Sequence, residues 1–295
     1  MITYTPNPPQ NPVPESFAHF AKFYVDRKQH YKEITEEIKL TQQNQPKSGT
    51  RHIADCENTH NWYLSGGWGY DPTWARSWIL NDLSLPLYAG GTCLDVGSGD
   101  GFWSWILSEW CDVTGVDPAA TSIMLSEAVR KRLHPDIQSR TKFAAIDALE
   151  VEEKYDVVFC RAPSFLNYPI GKPFSMDLLD WGRKRLEYCW LHINRYQPQK
   201  VKEMLSEYGS PADRPMIKEH IKEHADNGLR YLDKMLAITN KYFVFVLSSK
   251  PQFYGQYLGD TYNHDPQDLI PVLNKYGEVN IRNERGYTIA EVFLK

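Results

Sequence analysis

The chain of 295 residues has few cysteines: Cys56, Cys93, Cys111, Cys160 and Cys189 are scattered, and no two share C-x-x-C spacing. Neither a zinc site nor a disulfide framework is expected, and no metal centre of any kind is read. Reduced thiols and a cytoplasmic setting follow. Cys93, Cys111 and Cys160 fall in apolar segments, where a thiol acts as a small hydrophobe. A basic excess is also missing, since 33 Lys and Arg face 37 Asp and Glu for a net charge of −4. That balance lacks the electrostatic mark of a strong nucleic-acid binder, so a nucleic-acid partner is possible but not favoured. No apolar run reaches the ~20 residues that cross a bilayer, and no membrane partner is expected. Met1-Ile-Thr-Tyr-Thr-Pro6 has no basic stretch leading into an apolar one, so no secretory leader is expected. No internal repeat is visible.

Aromatics are abundant, with nine Trp and eighteen Tyr. They serve either to pack helices on a sheet or to line an acceptor pocket, and sequence alone does not divide them. Pro6, Pro8, Pro9, Pro12 and Pro14 make the first fifteen residues an extended arm. From Ser16 onward Phe17, Phe20, Ala21, Tyr24, Tyr31, Ile34 and Ile38 lie on one helical stripe. After a polar stretch and the aromatic, glycine-rich segment 61–70, Asp71 and Pro72 form a helix start, with Trp74, Ala75, Trp78 and Ile79 on one face. Strands are then expected at Thr92–Val96, Val113–Val116, from Lys142, at Tyr155–Cys160 and at Tyr242–Leu247, with helices between them, the first spanning Phe102–Trp110. This alternation predicts an α/β three-layer sandwich on a mostly parallel sheet. The link between the fourth and fifth strands is too long for a crossover, so a helical insertion is read at about 171–224. Near the end, Asp265 and Pro266 open a helix that Gly277 is expected to close. The strands around Val279–Ile281 and Thr288–Leu294 are joined too briefly to be parallel, so a seven-stranded sheet with strand 7 antiparallel is predicted.

Thr92-Cys-Leu-Asp-Val-Gly-Ser-Gly-Asp-Gly-Phe102 carries the chemistry. An apolar strand runs into a turn where Gly97, Gly99 and Gly101 let backbone approach a ligand. Asp117, at the end of the next strand, can accept hydrogen bonds from two ribose hydroxyls. A dinucleotide site reads G-x-G-x-x-G/A, whereas here Phe102 occupies the last of those positions. Asp95, two residues before the first glycine, would repel a diphosphate but suit a cationic ligand.

The spacing D-x-G-x-G-x-G resembles motif I of the class I S-adenosylmethionine-dependent methyltransferases. The resemblance covers about 71–170 and 225–295. It implies a methyltransferase domain over 71–295, preceded by an N-terminal arm and helical cap over 1–70. It also implies S-adenosylmethionine as cofactor, held by Asp95, Gly97, Ser98, Gly99, Gly101 and Phe102 at the turn and by Asp117 and Pro118 after strand 2. Asp147 would bond the adenine amino group and the Ala148 N–H a ring nitrogen. Arg161 and Tyr168, in the loop after strand 4, would face the methyl group and its acceptor. The methyl would go to an unidentified acceptor by in-line displacement, a small molecule being favoured over RNA or protein. A non-catalytic binding subunit is the alternative.

Simpler roles stand beside these. Asp117 can cap a helix that Pro118 starts, Asp147 can cap a turn, and Phe102 and Trp103 can be core. Arg161 can hold a carboxylate of cofactor or acceptor, or pair with a neighbouring acid. Trp68 and Tyr70 can close over a sulfonium. His60, Tyr63, Tyr168 and Tyr254 are the acid–base candidates. The run Arg161-Ala-Pro-Ser-Phe165 lacks both the Asn/Asp-Pro-Pro-Tyr/Phe pattern of amino-group methyltransferases and the Pro-Cys pair of cytosine-carbon methyltransferases.

Overall fold

A computed structural model describes residues 12–43, 71–118, 120–161, 229–248, 266–284 and 287–295. The expected insertion, the segment 61–70 and the loop Lys250–Tyr262 lie outside the described residues.

Contacts divide the chain into two units, the first being Met1–Thr92 with Ser98–Ala145. In this unit the N-terminal stripe forms two helices, α1 (Glu15–Val25) and α2 (Arg27–Gln43), rather than one. The break is at Asp26, whose N–H turns back to the Phe23 carbonyl at 3.2 Å. Both helices bury their stripes, with Phe20, Tyr31 and Ile34 fully enclosed. Helix α3 (Pro72–Asp82) starts as read: the Asp71 carboxylate accepts the Thr73 N–H at 2.8 Å, and Pro72 takes the first position.

Helix α4 (Phe102–Leu107) is shorter than the expected Phe102–Trp110. Its continuation tightens, with Glu109 and Trp110 N–H groups donating three residues back, before β2 (Asp112–Val116) begins. All six residues of α4 are buried. Phe20 of α1 meets Phe102 and Trp105 of α4 at ring distances of 5.9 and 5.7 Å. Arg76 of α3 forks onto the Glu109 carboxylate with two 2.6 Å bonds and stacks over Phe17. Helix α5 (Ala120–Arg130) follows β2, and the Arg132 guanidinium just beyond it binds Glu33 and Glu37 of α2. A short helix absent from the sequence reading, α6 (Pro135–Arg140), leads directly into β3 (Thr141–Ala144); the His134 ring caps it. Strands β2 and β3 pair in parallel.

The second unit is Cys93–Gly97 with Ile146–Lys295. The strand β1 (Thr92–Val96) pairs from Cys93 in parallel with β4 (Tyr155–Arg161), which pairs in parallel with β5 (Thr239–Ser248). Val157–Cys160 and Tyr242–Val246 are enclosed on both faces, which is why their sequences are continuous apolar runs. Residues 229–237 form helix α7, ahead of β5. Helix α8 (Pro266–Leu273) begins at Pro266 as expected.

Gly277 does not cap α8; it opens β6 (Gly277–Glu284). A Cβ there would lie 2.0 Å from the Phe293 carbonyl of β7 (Tyr287–Leu294), so the close strand partner, not a helix end, requires glycine. Strand β7 runs antiparallel to both β5 and β6, as predicted. Glu291 of β7, 1% exposed, accepts the Tyr242 hydroxyl and the Arg282 guanidinium across the neighbouring strands. The seven strands follow the order β3-β2-β1-β4-β5-β7-β6. Among the described residues no helix is long and apolar enough to cross a membrane.

Candidate functional site

The turn after β1 is left-handed at its glycines, with φ of 73° at Gly97, 56° at Gly99 and 91° at Gly101. The glycines are bare for different reasons. A Cβ on Gly101 would stand 2.7 Å from Trp105 Cζ2 and 2.9 Å from Phe143 Cζ, so internal packing demands glycine there. A Cβ on Gly97 would meet nothing within 4 Å among the described residues, so space adjoins that residue on their side. Sequence reading assigned both to ligand approach; only Gly97 has the room.

Backbone and side-chain bonds hold the rest of the turn. The Ser98 N–H donates to Val116 O at 3.0 Å, and the Gly99 N–H donates to Asp117 Oδ2 at 3.2 Å. The Ser126 hydroxyl lies 2.9 Å from both Gly99 O and Ser122 O. The half-exposed acid at the end of β2 is thereby tied to the turn. Helix α5 starts at Ala120, so Pro118, exposed, precedes it by two residues instead of occupying its first position.

Ser98 is 5% exposed, and its buried Oγ has no hydrogen-bond partner among the described residues. An unpaired buried hydroxyl costs about 1–3 kcal/mol. That orphan, beside the space at Gly97, fits a ligand offering hydrogen-bonding groups at the turn.

Asp100 was missed by sequence reading. Its Oδ1 accepts the Phe102 N–H at 3.3 Å and its Oδ2 accepts the Tyr31 hydroxyl at 2.8 Å. Burial holds this carboxyl above its ordinary range, opposed by those hydrogen bonds and by Arg27. The only local signal was an acid within a glycine run; its partner lies 69 residues away. Phe102 itself packs in the aromatic cluster, 4.8 Å from the Tyr24 ring, and Trp103 is buried beside it.

In the second unit Asp95 is 2% exposed on β1. Burial, and then the Asp95 charge, push the Cys160 thiol well up, away from the thiolate. Arg161 is the last residue of β4, paired in register with Val246, not the first of a loop. Asp147 caps a 3-10 turn, Ala148–Glu150: its Oδ1 accepts the Leu149 N–H at 2.8 Å and its Oδ2 accepts the Tyr231 hydroxyl at 2.5 Å. Ala148 is buried. His60, Tyr63, Trp68, Tyr70, Tyr168 and Tyr254 lie outside the described residues. No group of three or more His, Cys, Asp or Glu suited to a metal ion occurs among the described residues.

Strand order, the reversed seventh strand and the glycine turn after β1 coincide with one architecture. The chain has the class I S-adenosylmethionine-dependent methyltransferase fold. No protein-family model matches the chain. It is similar to tRNA U34 carboxymethyltransferase of Vibrio atlanticus, 33% identical over 102 residues, which is 34% of this chain and 30% of that protein. It is 32% identical over 130 residues to the tRNA U34 carboxymethyltransferase of Proteus mirabilis, covering 42% of this chain and 35% of that one. The chain thus spans about a third of the length of the curated relatives it matches. Magnesium protoporphyrin IX methyltransferase of Synechocystis PCC 6803, crystallised with S-adenosylmethionine, aligns over 97% of this chain and 100% of that one, at 13% identity and a TM-score of 0.39. Strand order, rather than that superposition, gives the methyltransferase fold.

Proposed function

We propose that this chain is an S-adenosylmethionine-dependent transferase that binds its cofactor at the glycine turn. The observation that carries the reading is the bond from the Gly99 N–H to the Asp117 carboxylate, which holds a ribose-binding acid at the turn before any ligand arrives. The orphaned Ser98 hydroxyl and the space at Gly97 support it. In this reading Asp117 accepts the ribose hydroxyls, Asp147 the adenine amino group, and the Ala148 N–H meets a ring nitrogen. Asp95 contributes negative potential suited to a cationic ligand. Phe102 acts by packing the turn.

The bound cofactor supplies a carbon made electrophilic by its sulfonium. The chain's own work is to bind, align and keep dry. The protonated Cys160 thiol gives no support to a thiolate route. A general base is needed only for an acceptor protonated at working pH, and His60 and Tyr168 are proposed for that step.

The relatives' names favour tRNA over the small acceptor read from sequence. With a net charge of −4, tRNA affinity would rest on local basic groups. A second reading, transfer of a carboxymethyl group, has one observation in its favour: Arg161 closes β4, where a guanidinium suits a carboxylate on the transferred group. Mass analysis of bulk tRNA treated with the chain and either S-adenosylmethionine or its carboxylated form separates methyl from carboxymethyl transfer.

The primary test is calorimetric titration with S-adenosylhomocysteine. Binding is expected, and Asp117→Ala is expected to lose it at least about a hundredfold while the far-ultraviolet spectrum is kept. Binding of NAD(H) with no response to either sulfur ligand would sink the proposal.

A further inference from the structure

We infer that Tyr231 sets the base specificity of the adenosyl site by holding Asp147 as a fixed, acceptor-only carboxylate. The inference rests on the cofactor reading above and deepens it. Each oxygen of Asp147 carries one protein donor: Leu149 N–H on Oδ1 and the Tyr231 hydroxyl on Oδ2. Two donors on opposite oxygens fix the plane of the group. A carboxylate has about four lone-pair sites, so about two remain for a ligand.

The second donor comes from α7, 84 residues downstream, and the Tyr231 ring is 5% exposed, so packing fixes it. Burial, then the hydrogen bond to Asp147, raise the Tyr231 hydroxyl well above its ordinary value. It therefore stays a donor to Asp147 Oδ2 through the working range.

An anchored acceptor rewards a ligand that offers a hydrogen there. Adenine presents an exocyclic amino group. Hypoxanthine presents an oxo group, and two acceptors would then face each other. A loose carboxylate relieves that conflict by rotating away; one held at both oxygens does not. Leu149 alone fixes one oxygen and leaves rotation about that contact. The Tyr231 hydroxyl removes it, making Tyr231 a positioning residue for base recognition.

The test is calorimetric titration of the full chain with S-adenosylhomocysteine and S-inosylhomocysteine, for wild type and Tyr231→Phe. Wild type is expected to prefer the adenosyl ligand by about a hundredfold or more. Tyr231→Phe is expected to narrow that preference about tenfold, chiefly by weakening the adenosyl ligand. An equal loss for both ligands would reveal a merely structural role and overturn the inference. So would an unchanged preference in a variant that binds, which leaves the cofactor reading standing. Wild type that binds neither ligand overturns both. Should Tyr231→Phe fail to fold, Asp147→Asn replaces the acceptor with a mixed donor and acceptor: loss or reversal of the preference supports the inference, and an intact preference overturns it.

Discussion

Among single residues, the glycines of the turn separate ligand approach from packing. Gly97→Ala places a methyl at φ 73° where no described residue lies within 4 Å, so its folding cost is about 1–2 kcal/mol while ligand affinity falls. Gly101→Ala drives a methyl into Trp105 and Phe143 at φ 91°, at a cost of about 2–4 kcal/mol. Thermal melts paired with titration are expected to show affinity lost without the fold for the first, and the fold lost for the second. Asp100 gives a pH signature. Burial raises its carboxyl above the ordinary 3.8, so the unfolded chain releases that proton first. Stability tied to Asp100 is complete below 3.8 and is lost as pH rises through the folded value. Asp100→Asn keeps an acceptor for the Phe102 N–H without the charge. Its melting temperature is expected to exceed wild type more at pH 7 than at pH 4; an equal difference at both would contradict the buried-acid account. The placement of Asp95 on β1, of the glycines in a turn and of Asp117 after β2 was legible because one local spacing carries it. Tyr31 on Asp100 and Tyr231 on Asp147 were not, since nothing near either tyrosine in sequence encodes a partner so far along the chain.

Elements were legible where their signals are local. Asp71-Pro72 marked the start of α3, and Pro266 that of α8, because capping chemistry sits within two residues of a helix end. The division of α1 from α2 escaped, because the apolar spacing continues across Asp26 and a stripe does not report a bend. Helix α6 escaped through its six-residue length. Gly277 was misread because a glycine after a helix and one opening a tight strand pair look alike in one dimension. The N-terminal pair supplies Phe17, Phe20, Tyr24, Tyr31 and Ile34 to the core of its unit. Each is worth about 1.5–3 kcal/mol of burial, so together they rival the ~5–15 kcal/mol that separates a domain from its unfolded chain. Deletion of residues 1–43 is therefore expected to give a chain without a cooperative melt. A truncated protein that melts sharply near the wild-type temperature would refute that.

For the molecule as a whole, strand count, the parallel run and the reversed last strand were readable from alternation and from the brief link before β7. Lateral strand order was not legible, because pairing between distant strands leaves no periodic trace. The tie between Gly99 and Asp117 has a consequence at this scale. The acid proposed to meet the ligand also braces the backbone, so recognition and scaffold would meet in one side chain. A substitution at Asp117 therefore removes one brace of the turn together with the proposed ribose contact, while the remaining bonds of the turn keep the fold.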